Sequence, residues 1–153
     1  MIVEEVHEGC GALCRDVLLG LPEWFGNPGA VDRYAAFADS PEATMLAARE
    51  AGETLGMLTL KLHYGTQCEI HVLGVRASHH RRGVGRALLR AAEARGRAEG
   101  CTFLGVKTLG ETNPDPHYAR TRAFYRALGF VPYERLDTLW GAETPCLLMI
   151  KPL

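Results

Sequence analysis

Leu73-Gly74-Val75-Arg76-Ala77-Ser78-His79-His80-Arg81-Arg82-Gly83-Val84-Gly85-Arg86-Ala87-Leu88-Leu89 is the stretch whose reading decides the fold. It begins in an apolar run, Cys68 to Val75, that reads as a buried strand. It ends in a helix predicted over Gly83 to Ala98. There Val84, Leu88 and Ala92 make an i, i+4, i+8 stripe, and Gly100 stands at the stop. Between the two lies a basic, glycine-rich turn. Strand, such a turn, then helix is an arrangement that binds phosphate. The first N–H groups of a helix have no partner within it, and the helix dipole adds partial positive charge there. Gly83 and Gly85 let the backbone approach an anion, since neither carries a Cβ. Arg81, Arg82 and Arg86 offer charge-assisted contacts. The spacing is Gly-x-Gly, without the later glycine of a dinucleotide fingerprint or the Lys-Ser/Thr of a P-loop. Taken alone, the same residues also fit a solvated basic turn.

Working outward, Ile2 to Val6 reads as a strand, and Ala12 to Leu19 and Val31 to Ala38 as helices. The Pro- and Gly-rich segment from Leu21 to Ala30 between them reads as a loop. It carries Trp24 and Phe25, which are large apolar groups for such a place. Strands follow at Thr44 to Arg49 and Thr54 to His63, with Glu50-Ala51-Gly52-Glu53 as the turn. Strict alternation in the next strand puts Ile70, Val72 and Gly74 on one face and Glu69, His71, Leu73 and Val75 on the other. Past the central helix come a strand at Thr102 to Leu109, a loop at Gly110 to His117, and a helix at Tyr118 to Leu128 closed by Gly129. Val131 to Leu136 and Cys146 to Lys151 are the last strands. Alternation in the middle and a hairpin early argue for an α/β fold with a mixed sheet.

The chain has 153 residues, enough for one domain, 1–153, with a core that needs no staples. Its formal net charge of −1 gives no overall field for nucleic acid or an anionic membrane, so any anion must be held locally. No apolar run approaches the roughly 20 residues that span a bilayer. The acidic start Met1-Ile2-Val3-Glu4-Glu5 does not resemble a signal peptide. Five scattered cysteines read as reduced thiols, and a cytoplasmic location is expected. His79 and His80 are adjacent and diverge, without accompanying carboxylates or thiols, so no metal is expected.

The quoted stretch resembles motif A of the GNAT superfamily of N-acetyltransferases, in which a strand end leads through Arg/Gln-x-x-Gly-x-Gly/Ala into a helix. Ala123-Phe124-Tyr125-Arg126-Ala127-Leu128-Gly129-Phe130 resembles the family's Phe-Tyr-x-x-x-Gly-Phe segment. The element order matches as well, so the resemblance covers nearly the whole chain. It implies a twisted mixed sheet of about seven strands flanked by about four helices. It also implies acetyl-CoA as co-substrate, with no metal. The backbone and side chains from Arg81 to Arg86 (Arg81, Arg82, Gly83, Val84, Gly85 and Arg86) would hold its pyrophosphate. Leu73, Gly74 and Val75 would pair with its pantetheine arm as an added strand would. Tyr125 would sit near the sulfur, in a gap where this strand and Thr102 to Leu109 splay apart. Two positions depart from the pattern: His80 replaces the first Arg/Gln, and Tyr118 stands where many members have Asn. With that Asn missing, Arg122 is the candidate on this helix to reach a phosphate.

Acetyl transfer needs a base for the amine, a donor for the oxyanion and an acid for the leaving thiolate. Glu69 and His71 lie two apart on one strand, where some family members carry a pair of histidines, and are the candidate bases. An imidazole with a pKa of about 6.5 suits a proton relay near neutrality. Tyr125 is the candidate acid, and the backbone N–H of Val75 or Gly74 the oxyanion donor. Trp24, Phe25, Tyr34 and Trp140 are expected to wall the acceptor site, pointing to a small-molecule amine. Glu23, Glu69 or Asp137 could meet its ammonium. The alternative is a non-catalytic acyl-CoA-binding or sensing domain of the same fold. Nucleic-acid binding through His79 to Arg86 would need a wider basic face. A homodimer through the edge of the final strand stays open.

Overall fold

The computed structural model describes all 153 residues. In chain order the elements are β1 (Ile2–Val6), α1 (Cys10–Leu19), α2 (Pro28–Ala38), β2 (Ala43–Glu50), β3 (Glu53–His63) and β4 (Gln67–Val75). A 3-10 turn at Ala77–His79 follows. Then come α3 (Val84–Ala98), β5 (Phe103–Leu109), α4 (Pro116–Ala127), β6 (Val131–Leu136) and β7 (Cys146–Pro152). The strands form one sheet in the order β1-β2-β3-β4-β5-β7-β6, with β4 and β5 parallel and every other pair antiparallel. This is the mixed sheet of about seven strands with about four helices that the sequence implied.

Both Pro-led helices start earlier than their apolar pattern suggests. Asn27 accepts from the N–H of Gly29 and Ala30, which begins α2 at Pro28. Asp115 accepts from the N–H of His117, which begins α4 at Pro116. Proline has no N–H to leave unpaired in a first turn, so residues that read as loop markers are helix starters here.

Two cores hold the layers together. One, of 18 buried residues, lies between the sheet and α3 and α4, and contains Leu58, Ile70, Val84, Leu88, Ala92, Val106, Tyr125 and Phe130. The other, of 10, lies between the sheet and α1 and α2, with Val17, Leu18, Val31, Met45, Met57 and Val72. The turn before α3 is therefore mounted on the larger core, and the α1–α2 segment on the smaller one.

A bulge in β4 overturns the strict alternation expected for that strand. Thr59 of β3 pairs with Val72 and Leu60 with Ile70, so His71 is the extra residue. Ile70 faces α3 and α4; one step past the bulge, Val72 faces α1 and α2. Gly74 follows Val72, since a Cβ there would meet Leu18 and Val17 of α1 at 3.0 and 3.1 Å. Leu73 and Val75 pack instead with the α3 side. Leu73 and Val75 are thus on the opposite face from His71, whose ring lies against Tyr34 and Phe37 of α2. An extra residue inverts a period-2 pattern, and nothing in the apolar run marks it.

Candidate functional site

The parallel pairing of β4 with β5 runs from Gln67 opposite Phe103 to Ile70 opposite Val106, and stops there. Beyond that point β4 continues to Val75 on β3 alone, while Lys107 to Leu109 of β5 pair with β7. The two strands part at the bulge. Successive residues of a strand direct their N–H and C=O groups to opposite sides, so part of the β4 backbone from His71 to Val75 faces the opening with no strand beside it.

At the end of β4 the chain turns into α3. Val75 O accepts from His80 Nε2 at 2.6 Å, which ties the turn back to the strand. Arg81 and Gly83 both have positive φ, 60° and 81°. For arginine this conformation is strained, by about 1 kcal/mol or more. Such alternation turns successive backbone N–H groups inward as an anion-binding nest. The other three helices use a side chain at their first turn: Asp39 for Gly11 N of α1, Asn27 for α2 and Asp115 for α4. The start of α3 has no side-chain cap. Arg81 and Arg86 are exposed beside it. Arg82 turns away, to His79 Nδ1 at 2.8 Å and Glu50 at 3.8 Å. The two glycines serve different ends. Gly83 supplies the backbone conformation, and a Cβ on Gly85 would meet the Phe124 ring of α4 at 3.0 Å.

Just before the two strands part, Glu69 is 4% exposed and fully engaged. Its Oε1 accepts from His63 Nε2 and its Oε2 from Lys107 Nζ, both at 2.8 Å. Burial alone would raise its pKa. The hydrogen bonds and charges of Lys107 and His63 outweigh burial and hold the carboxyl below its usual range. His71 is half-buried, with Tyr34 and Phe37 ring centroids at 5.4 and 4.1 Å, and its Nδ1 is buried without a partner. Burial depresses its pKa, as do the charges of Lys61, Lys107 and His63, against a rise from Glu69. Tyr125 lies between Phe124 and Phe130, each at 5.3 Å between centroids. Its pKa is raised by burial first, then by Tyr118 and Tyr34.

A profile of the acetyltransferase (GNAT) family matches residues 14–130, from α1 through the nest to Phe130. The chain belongs to the GNAT acetyltransferase family. It is an acyl-CoA-dependent N-acetyltransferase, and no curated protein matches it. Among solved structures, a GNAT-family protein from Desulfovibrio desulfuricans is similar over 99% of both chains, with a TM-score of 0.83 at 21% identity. An aminoglycoside 6'-N-acetyltransferase complexed with coenzyme A gives 0.77 at 21%, over 99% of this chain and 97% of that one. An aminoglycoside 6'-N-acetyltransferase from Enterococcus faecium gives 0.75 at 23%, with the same coverage. At these identities the likeness is one of fold.

The acetyltransferase thus has an uncapped helix start at α3 and, next to it, a β4 edge left without a partner strand. Arg122 is put to another use. It is buried and donates from Nη1 to Leu109 O at 2.7 Å, closing the end of β5 against α4. Trp24 bridges the two sides of the opening. It meets His80 edge-on at 5.7 Å and His117 at 5.0 Å, and donates from Nε1 to Thr121 Oγ1 at 3.0 Å. The Tyr118 hydroxyl donates to Trp24 O at 2.7 Å. Phe25, Tyr34, His71 and Phe37 continue as a run of touching rings. Trp140, on the β6–β7 loop, is 42% exposed and joins no such contact. Asp137 is taken by Arg135 at 2.7 Å. No helix is long and apolar enough to cross a membrane.

Lys107, Lys61 and His63 are the site residues that sequence reasoning did not single out. Lys61 and His63 alternate on β3 across from Glu69, and strand register would have found them. Lys107 depends on a parallel pairing that no local pattern reveals.

The Glu69 cluster has a measurable pH signature. A carboxyl whose folded pKa is depressed contributes stability that is complete above its unfolded value, about 4.3, and is lost as pH falls through the folded one. Glu69→Gln, which leaves the part-exposed Lys107 without its counter-charge, lowers unfolding free energy by about 2 kcal/mol at pH 7. The gap to the parent narrows on going from pH 7 to pH 3. Urea unfolding at both pH values checks this, and a pH-independent gap would refute it.

Proposed function

We propose that this acetyltransferase moves the acetyl group of acetyl-CoA to a primary amine of a small molecule by direct attack, with His71 as base and Tyr125 as acid. The observation that carries the reading is the unpartnered, buried Nδ1 of His71 at the bulge where β4 leaves β5. Acetyl-CoA supplies the activated acyl group. The backbone from Arg81 to Arg86 holds its diphosphate, with Arg81 and Arg86 alongside, and the β4 backbone at Leu73, Gly74 and Val75 pairs with its pantetheine arm. The N–H groups of that same edge are the oxyanion donors.

His71 takes the proton of the acceptor nitrogen. Its depressed pKa keeps the imidazole neutral at pH 7, as a base must be. Glu69, with both oxygens engaged, acts through its charge, which favours the imidazolium that forms. Tyr125 keeps its proton at neutral pH and gives it to the leaving sulfur. A small acceptor is supported by the run of rings Phe25, Tyr34, His71 and Phe37, and by structural neighbours that are aminoglycoside acetyltransferases.

Calorimetry with acetyl-CoA, followed by an amine screen read by released thiol, tests the reading. Saturable binding and thiol release with a defined set of amines are expected. Absence of acetyl-CoA association would overturn it. The pH dependence of kcat/KM identifies the base: the acid limb falls with a midpoint below about 6.5, the ordinary imidazole value. His71→Ala removes that limb along with about 100-fold or more of the rate. A mutant retaining the parental limb excludes His71.

A further inference from the structure

Two lysines and one carboxylate surround the proposed base. Lys61 stands opposite Glu69 in the β3–β4 register, and Lys107 reaches Glu69 Oε2 from β5. Lys61, Lys107 and His63 all depress the His71 pKa by charge, and Glu69 is the one anion that raises it. Two ammonium groups against one carboxylate leave the floor beside His71 with an excess of positive charge. Glu69 offers little to a cationic acceptor, because its side chain is 6% exposed and both oxygens are taken. The cations are not spent in the same way. Lys107 is 33% exposed and directs one N–H to Glu69, leaving two donors. The Lys61 ammonium lies 5.7 Å over the Phe37 ring, and that ring is 4.1 Å from His71.

We infer that the acceptor carries an acidic group as well as its amine, in the manner of an amino acid, and that Lys107 and Lys61 hold its carboxylate while the amine meets His71. The inference rests on the acetyl-transfer reading above. The same charges serve the chemistry a second way. Cations near the acceptor nitrogen lower the pKa of its ammonium and favour the neutral nucleophile. A polyamine, by contrast, brings further positive charge to a floor that already has an excess.

The test compares matched acceptors: phenylalanine, leucine and glutamate, each beside its carboxamide, with spermidine as a polycation. Rates are expressed per neutral amine. The acids are expected to exceed their carboxamides in kcat/KM by about tenfold or more, as a charge-assisted contact gives, with spermidine lowest. Lys61→Gln, whose ammonium rests on a ring face and not on a buried carboxylate, narrows that ratio by raising KM for the acids alone. Carboxamides or spermidine equal to or better than the acids, or no acid-bearing amine acetylated at all, would overturn the inference. Acetyl-CoA titrations on the same preparations separate the failures. Retained binding with acetylation of uncharged or cationic amines sinks only the acidic acceptor. Absent binding sinks acetyl transfer, and the acidic acceptor with it.

Discussion

Tyr125→Phe lowers kcat by about 100-fold while the acetyl-CoA dissociation constant stays within about twofold of the parent. The ring is 4% exposed and wedged between Phe124 and Phe130, and phenylalanine preserves both contacts. The change therefore removes one hydroxyl and little packing. That hydroxyl is held protonated by burial, reinforced by Tyr118 and Tyr34, through neutral and mildly alkaline pH. A thiolate departing without a proton donor is the step that slows. Single-turnover thiol release beside a thermal melt reads both halves, and an undiminished rate would take Tyr125 out of the acid role.

Gly83→Val weakens acetyl-CoA binding by about tenfold or more and leaves the protein folded. Space is not the obstacle, since nothing lies within 4 Å of a Cβ built there. The obstacle is a φ of 81°, where a β-branched residue costs of the order of 1–2 kcal/mol. The turn escapes that strain by rotating, and rotation carries the first α3 amides off the diphosphate. The helix itself stays, because Val84, Leu88 and Ala92 are buried to 3% or less. Gly85→Ala makes the contrasting control, since its new methyl presses on Phe124 and registers in the melting temperature. An unaltered dissociation constant for Gly83→Val would show that the nest is not where the diphosphate sits.

The fold was legible because its signals are local. A strand, Gly83-x-Gly85 and the Val84, Leu88, Ala92 stripe specify the strand–nest–helix unit without outside help. Glu69, His71, Tyr125 and the Arg81 to Arg86 turn were candidates because each lies within one local motif. What escaped depends on pairing between distant segments. The bulge at His71 exists only relative to β3, and Lys107 reaches Glu69 only because β5 lies parallel to β4. Arg122 looked free to meet a phosphate, and a helix pattern does not reveal that its guanidinium caps the Leu109 carbonyl. Trp24 reads as a loop aromatic, and its bridge from His80 to Thr121 needs three elements folded at once.

That bridge makes the enzyme its own optical gauge. The chain has two tryptophans, one pinned between a pair of imidazoles and one 42% open to solvent. Iodide can darken the exposed indole first, leaving emission that reports on the pinned one. An indole's emission responds to what packs against it, so a change in that residual glow on adding acetyl-CoA would report, without any attached dye, a ligand arriving beside Trp24.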